Sequence, residues 1–143
     1  MTAKEKNAAL IDETSIDFLK ESLSRGFPGN LELQLVEMSQ GNATMEITIR
    51  EKHENIYHMV HGGVIYTLAD TTAGFACRTF GCKVVTATST IHYLNAAKQG
   101  TKRIYCKSNC IKKGRKLMVQ QAEVYDDNDR LLASGTFTFC VIA

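Results

Sequence analysis

The chain has 143 residues, of which 44% are hydrophobic and 22% charged, and its formal net charge at pH 7 is +2. These values predict one domain with a sizeable core and argue against a strongly basic nucleic-acid-binding protein. Neither an apolar run of 18 residues nor a signal-peptide core occurs, so we expect a cytoplasmic protein without a membrane partner.

The chain begins with a predicted lead-in, residues 1–29, which precedes a main domain at residues 30–143. Residues 11–24 of the lead-in carry apolar side chains at helical spacing, and Gly26 and Pro28 end the pattern. The lead-in therefore contains one short helix. Its apolar side chains are Ile11, Ile16, Phe18, Leu19 and Leu23.

The main domain is predicted to hold six strands and one long helix. Residues 62–80 are apolar on nearly every side, which predicts a helix buried almost all round, and Gly74 within it favours close approach of another backbone. The last four strands are joined by short connections and predict an antiparallel meander. The predicted strands cover residues 32–39, 43–50, 83–94, 103–111, 116–126 and 130–143.

This order of elements predicts an α+β fold in which a curved antiparallel sheet wraps around one long central helix. A sheet that is covered by a helix on one face leaves its other face open, so we expect the chain to form homo-oligomers.

Charge is unevenly distributed along the chain. No acidic residue lies between Asp70 and Glu123, and this interval is rich in lysine and arginine. It forms either a solvated basic surface or a surface for an anionic ligand such as a nucleotide phosphate. The basic residues are Arg78, Lys83, Lys98, Lys102, Arg103, Lys107, Lys112, Lys113, Arg115 and Lys116.

A group of candidate site residues lies just before the long helix and within its first half. Asp70 is ionisable within an apolar run, where a carboxyl group needs a hydrogen-bond partner and can have a raised pKa. The glycines after His61 leave free N–H groups at the helix start, which suit an oxyanion, and Asn55 offers an amide. Each residue alone also has a structural interpretation, namely a satisfied buried acid, a helix cap or a tight chain entry.

Helix geometry separates two of these groups. Gly62 and Asp70 are eight residues apart, so about 12 Å of helix lies between them. A base and an oxyanion site must both lie within about 3 Å of the reacting group. One helix does not supply both, whereas two antiparallel copies do. The spacing therefore predicts a dimer with composite sites, in which Asp70 of one subunit faces Gly62 and Asn55 of the other.

Other chemistries are less favoured by the sequence. His53, His58 and His61 lack helical metal-ligand spacing, and Cys77 lies too far from His61 for a nucleophilic pair. The five cysteines are odd in number and form no C-x-x-C pair, which favours reduced thiols over disulfides or zinc. We therefore expect no metal site.

The pattern N-x5-H-G-G-x6-D, formed by Asn55, His61, Gly62, Gly63 and Asp70, resembles hotdog-fold acyl-CoA thioesterases, and most closely the phenylacetate-degradation-protein branch. The resemblance covers about residues 30–142 and includes "VVTATSTIHYL", "NAAKQG", "KKGRKL" and "ASGTFTF". It implies the predicted fold, in dimers that commonly pair into tetramers, and hydrolysis of an acyl-CoA or aryl-acyl-CoA. Because CoA belongs to the substrate, no separate cofactor is implied.

The resemblance also implies roles for individual residues. Asp70 would be the general base or nucleophile, and the Gly62 N–H would polarise the thioester carbonyl. His61 would support that carbonyl site, and Asn55 would position the attacking water or Asp70. Thr86, with Thr88 as the second choice, would supply a hydroxyl group near the base.

The same resemblance places CoA contacts on the hairpin Lys112, Lys113, Gly114 and Arg115. Two alternatives stay open at this point. One is a non-catalytic acyl-CoA-binding or interaction module on the same scaffold. The other is a hydratase or dehydratase relative, which the same fold supports.

Overall fold

A computed structural model describes residues 13–143, with side chains from residue 17 onward. The chain forms three α-helices, six strands and one short 3₁₀ helix within this range. The helices are α1 (Glu13–Ser22), α2 (Gly26–Asn30) and α3 (Gly62–Arg78), and the 3₁₀ helix is Glu51–His53. The strands are β1 (Gln34–Ser39), β2 (Asn42–Thr48), β3 (Val84–Tyr93), β4 (Arg103–Lys113), β5 (Leu117–Asp126) and β6 (Leu131–Val141).

The six strands form one antiparallel sheet in the order β1-β2-β4-β5-β6-β3. The prediction of a four-strand meander is wrong for its first strand, because β3 pairs with β6 at the far edge and not with β4. Residues 94–102 therefore cross from that edge to the middle of the sheet. The α+β prediction of one antiparallel sheet around a long helix is confirmed.

Helix α3 packs against β2, β4, β5, β3 and β6, and so fills the concave side of the sheet. Leu68, Ala69 and Ala73 are fully buried there, because small side chains let the helix lie close to the strands. Met45 and Ile104 are equally buried and come from the inner face of the sheet. This contact forms the hydrophobic core.

Helix α3 is buried on most sides, and the exception to the predicted burial is one stripe along its length. The stripe is partly exposed and faces a cleft rather than the sheet. The helix also ends at Arg78, two residues before the predicted end. The side chains that line the cleft from this helix, together with Gly74, are Asp70, Thr71, Phe75 and Arg78.

Helix α1 contributes two buried side chains, Leu19 and Leu23. The predicted end of the first helix at Gly26 and Pro28 is only partly right, because these two residues belong to the separate short helix α2. Ile11 and the side chain of Ile16 lie outside the described residues.

The two edges of the sheet differ in protection. Strand β1 is short, contains Glu37 and has an irregularity in its pairing between Leu35 and Glu37, and such features discourage pairing with another chain. Strand β3 has ten residues, contains no lysine, arginine, aspartate or glutamate, and is exposed along most of its length. It is the unprotected edge. None of the helices in residues 13–143 is both long and apolar enough to span a membrane.

Two glycines give opposite predictions for stability. A Cβ atom at Gly135 would lie 2.8 Å from the Thr90 carbonyl oxygen, so Gly135→Ala should loosen the β3–β6 pairing and lower the free energy of unfolding by about 1–3 kcal/mol. At Gly74 the nearest atom is in the Phe139 ring at 3.5 Å, an ordinary contact, and within residues 13–143 no backbone of another element makes the close approach that the sequence predicted. Gly74→Ala should therefore raise the free energy of unfolding by up to about 1 kcal/mol.

Urea unfolding of both variants at one protein concentration measures these changes. A Gly135→Ala protein as stable as wild type would contradict the close approach of β3 to β6.

Candidate active site

The loop between β2 and α3 is held rigidly by His53. This side chain is fully buried. Its Nδ1 atom accepts the Arg50 N–H at 2.9 Å and its Nε2–H donates to the Leu31 carbonyl at 2.8 Å. Both ring nitrogens are therefore occupied by backbone groups. The His53 carbonyl then accepts the His61 N–H at 2.8 Å, which fixes the residue just before α3.

Asn55 shapes the next part of this loop. Its Oδ1 atom accepts the N–H groups of Tyr57 at 2.8 Å and Met59 at 3.2 Å, and its own N–H donates to the Met59 carbonyl. The backbone of His58 has a φ of 59°, which this tight turn requires. The side-chain oxygen of Asn55 therefore accepts hydrogen bonds from the loop backbone. A ligand would bind to the side-chain NH₂ group, which can donate two hydrogen bonds.

Helix α3 begins with His61 as its N-cap. The Nδ1 atom of His61 accepts the Gly63 N–H at 2.8 Å. A Cβ atom at position 63 would lie 3.0 Å from that same nitrogen, so glycine is what lets the imidazole approach. Among the described residues, no hydrogen-bond acceptor is assigned to the Gly62 N–H. A free N–H at the positive end of a helix is suited to hold a developing oxyanion.

Asp70 lies on the exposed stripe in the middle of α3. The Thr86 hydroxyl donates to its Oδ1 atom at 2.7 Å. Burial raises the pKa of Asp70 above its ordinary value of 3.8, and the hydrogen bond from Thr86 lowers it by a smaller amount. The hydroxyl beside the acid is therefore that of Thr86, not of Thr88, which follows an irregularity in the β3–β6 pairing.

Asp70 opens onto a cleft of about 540 Å³ between α1, α3 and the start of β3. Most of the cleft wall is apolar, and Phe18 and Leu19 of α1 form part of it. The sequence did not indicate this contribution, because the lead-in carries no site motif. Arg78 and Lys83 also line the cleft.

The predicted CoA-binding hairpin, Lys112–Arg115, lies at the same end of the sheet as Arg78 and Lys83. The Val141 N–H donates to the Lys116 carbonyl, and the Lys83 N–H to the Ala143 carbonyl, so the hairpin and the start of β3 flank the end of β6. The Lys113 ammonium lies 5.0 Å from the centre of the Phe80 ring, just beyond α3. We call Arg78, Lys83, Lys112, Lys113 and Arg115 the cationic end.

The backbone at Gly114 lies too close to the Leu117 carbonyl to leave room for a side chain. A Cβ atom there would come within 2.4 Å of the Leu117 carbonyl oxygen, while the Gly114 N–H donates to that oxygen at 2.8 Å. The tight turn of the hairpin therefore needs glycine at this position.

The groups of the predicted site fall into two sets within one subunit. Thr86 near the start of β3 holds Asp70, whereas Tyr93 at the end of β3 donates to the Gly62 carbonyl oxygen at 2.9 Å. The carboxyl group and the helix start are thus attached to opposite ends of one strand. The structure does not bring Asp70 and Gly62 together within one chain.

The competing metal and thiol chemistries gain no support in residues 13–143. No cluster of three or more histidine, cysteine, aspartate or glutamate side chains there is arranged to hold a metal ion. Burial raises the pKa of the Cys77 thiol to about 12, so its thiolate form is scarce at neutral pH.

Comparison with known proteins identifies a family. The model of the thioesterase superfamily matches residues 57–133. A candidate esterase of Archaeoglobus fulgidus is 30% identical over 108 residues, which cover 74% of this chain and 70% of the relative. The 1,4-dihydroxy-2-naphthoyl-CoA hydrolase of Escherichia coli is 29% identical over 103 residues, which cover 70% of this chain and 73% of that enzyme.

Solved structures share the fold. A Streptococcus mutans protein bound to acetyl CoA is 28% identical with a TM-score of 0.76, over 83% of this chain and 93% of that one. A hypothetical thioesterase from Streptococcus pneumoniae with coenzyme A is 27% identical with a TM-score of 0.74, over 78% of this chain and 90% of that one. Two more structures of that protein carry one alanine each, in place of an aspartate and of a threonine.

The raised pKa of Asp70 predicts a gain in stability when its charge is removed. The pKa of Asp70 is higher in the folded state than in the unfolded state, so at pH values between these two pKa values the folded chain binds more protons than the unfolded chain. The contribution of Asp70 to stability therefore falls as the pH rises through this range. Asp70→Asn should therefore be more stable than wild type at pH 7.5, and this difference should shrink towards pH 4. Thermal unfolding of both proteins at the two pH values measures it. If Asp70→Asn were less stable than wild type at pH 7.5, burial could not be the larger of the two influences on the pKa of Asp70.

Proposed function

Because this chain belongs to the thioesterase superfamily, we propose that it hydrolyses an acyl-CoA thioester to a free acid and CoA. The observation that carries the proposal is Asp70, a half-buried carboxyl group held by Thr86 in an apolar cleft. Such a carboxyl group is a suitable base, because its raised pKa brings it nearer to the pH at which it works.

The proposed reaction transfers one water across the thioester. Asp70 accepts a proton from water while the water oxygen bonds to the carbonyl carbon, and the carbonyl oxygen becomes an oxyanion. The Gly62 N–H holds that oxyanion, as the preorganised donors of acyl-transfer enzymes do. Collapse of the intermediate breaks the C–S bond, and the proton passes from Asp70 to the CoA sulfur. In the alternative course, Asp70 attacks the carbonyl carbon itself, and the C–S bond breaks to release the CoA thiolate and leave an anhydride on Asp70. Water then hydrolyses this anhydride, which gives the free acid, regenerates Asp70 and supplies the proton for the CoA thiolate.

The two sets of site groups meet if β3 pairs with β3 of a second copy. Antiparallel pairing about the middle of the strand places the end that holds Asp70 and Thr86 beside the partner end that holds Gly62 and Tyr93. Strand β3 suits this pairing, because it is long, uncharged and exposed. We therefore propose a homodimer with two composite sites. The open outer face of the sheet leaves room for dimers to pair into tetramers.

The cleft and the cationic end suit the two parts of CoA. Asp70 and Arg78 are eight residues apart on α3, so about 12 Å of helix separates the carboxyl group from the cationic end. We propose that the uncharged pantetheine arm follows the apolar cleft between them. The phosphates then bind the cationic end, where Lys113 and Arg115 supply further positive charge.

The Streptococcus pneumoniae relative supports the pairing of Asp70 with Thr86. The aspartate and the threonine that were changed to alanine in its structures stand sixteen positions apart in that protein. Asp70 and Thr86 are separated by the same sixteen positions here. The Streptococcus mutans relative, with its acetyl CoA, supports a CoA thioester as the substrate class.

The first test is turnover of a panel of alkyl- and aryl-acyl-CoA esters, with the released thiol measured by a thiol reagent. We expect hydrolysis of at least one ester, and a fall in kcat on the order of 10²-fold or more in Asp70→Asn, because asparagine cannot accept the proton. Asp129→Asn is the matched control, since Asp129 is an exposed acid in the β5–β6 turn with a φ of 61° that asparagine also adopts.

Lack of turnover with every ester would refute the hydrolase. Binding of CoA in that case would support the non-catalytic module, and hydration of an enoyl thioester would support the hydratase relative.

The second test addresses the composite site. Gly62→Pro removes the N–H at the first position of α3, where proline is well tolerated, and His61 already has the extended backbone that precedes proline, with φ −63° and ψ 136°. We expect Gly62→Pro and Asp70→Asn homodimers each to be nearly inactive. A heterodimer of the two, isolated with different tags after co-expression, contains one intact site and should recover about half of the wild-type kcat per dimer.

Wild-type and variant proteins should elute as dimers or larger assemblies in size-exclusion chromatography. An inactive heterodimer of normal size would show that each chain builds its own site.

A further inference from the structure

Two tyrosines tie α3 to β3 through their hydroxyl groups, one from the helix to a side chain of the strand and the other from the strand to the backbone of the helix. Tyr66 is bonded to the side chain of Ser89 in the middle of the strand. Tyr93 donates to the carbonyl oxygen of Gly62 at 2.9 Å, in the first turn of α3. The second bond therefore acts on the backbone next to the proposed oxyanion site.

The hydrogen bond from Tyr93 and a second hydrogen bond to His61 share one peptide group. The carbonyl oxygen of Gly62 and the N–H of Gly63 belong to the same peptide. That N–H donates to Nδ1 of His61 at 2.8 Å. A peptide whose oxygen accepts a hydrogen bond becomes a stronger donor at its nitrogen, because hydrogen bonds in a chain polarise one another. The hydroxyl of Tyr93 thus strengthens the bond that holds the imidazole.

This bond determines which nitrogen of His61 carries the proton. A neutral imidazole that accepts at Nδ1 has its proton on Nε2. The Nε2–H is then the donor that His61 presents on the exposed side of the helix start. The Gly62 N–H and the His61 Nε2–H are therefore two donors supplied by one helix terminus.

The packing around the two glycines is consistent with these two hydrogen bonds. A Cβ atom at Gly62 would lie 3.5 Å from the Tyr93 ring, so the ring packs directly on the residue whose carbonyl its hydroxyl binds. The imidazole occupies the space above Gly63, where a side chain would crowd it. Each glycine of the pair is thus packed beside one aromatic ring.

We propose that Tyr93 is a positioning residue for the oxyanion site, which acts through the Gly62–Gly63 peptide to hold His61 as its Nε2–H tautomer. This proposal rests on the proposed function. Tyr93 needs no contact with the substrate in this role. It fixes both the first turn of α3 and the orientation of the imidazole before the substrate arrives.

The experiment compares Tyr93→Phe with Tyr66→Phe. Both substitutions remove one hydroxyl bond between α3 and β3 and keep the ring, so both should lower the thermal midpoint by similar amounts. Only Tyr93→Phe should lower kcat, by roughly 3- to 10-fold, the effect expected from one hydrogen bond, with KM changed less than 2-fold. Equal losses of kcat in the two variants would show a merely structural anchor and overturn the proposal.

A second measurement does not depend on turnover. Two-dimensional ¹⁵N–¹H NMR of the imidazole nitrogens, at a pH where His61 is neutral, reports the tautomer. We expect the Nε2–H form in the wild-type protein and in Tyr66→Phe, and a mixture with the Nδ1–H form in Tyr93→Phe. An Nδ1–H form in the wild-type protein, or an unchanged spectrum in Tyr93→Phe, would overturn the proposal. If the wild-type protein hydrolysed no thioester, the proposed function would fail while this measurement still tested the action of Tyr93 on His61.

Discussion

The rigidity of α3 is the constraint on which the arrangement of this site depends. A helix does not shorten, so the carboxyl group of Asp70 and the N–H of Gly62 stay about 12 Å apart along its axis in every copy of the chain. Strand β3 keeps them apart as well, because Thr86 binds one group near the start of the strand and Tyr93 binds the other at its end. Any chemistry that needs both groups on one atom therefore requires a second helix.

The electrostatic environment of Asp70 fits a reactive acid better than a structural one. A structural buried carboxylate is usually paired with a cation or several donors, and such partners lower its pKa. Within the described residues Asp70 instead has the Thr86 hydroxyl as its hydrogen-bond donor, in a cleft that is mostly apolar, and burial outweighs that donor. The charge is therefore costly to the fold, and the fully buried contact between α3 and the sheet provides the stability that offsets this cost.

The parts of the site that follow from local rules could be predicted from the sequence, and the parts that depend on long-range packing could not. The start of α3 was predictable, because His61 and the two glycines after it determine a helix entry by themselves. The pairing of β3 with β6 was not, since β-strand partners are chosen by the whole sheet and no short turn joins these two strands. For the same reason the bond from Tyr93 to Gly62 had no signal in the sequence, whereas Thr86 was found only because a family resemblance placed a hydroxyl near the acid.

In the proposed dimer, strand β3 connects assembly with catalysis. Its two ends hold the two halves of the proposed site, and it forms one edge of the sheet in the described part of the chain, over ten residues without an acidic or strongly basic side chain. A charge on this edge, like Glu37 on β1, would discourage pairing with another chain, and in the proposed dimer it would also separate the halves of each site. An edge that is left unprotected in this way is a liability for a monomer and a requirement for an enzyme whose carboxyl group and oxyanion donor come from different subunits. The composition of β3 is therefore the feature of the fold that is hardest to explain without a symmetric partner.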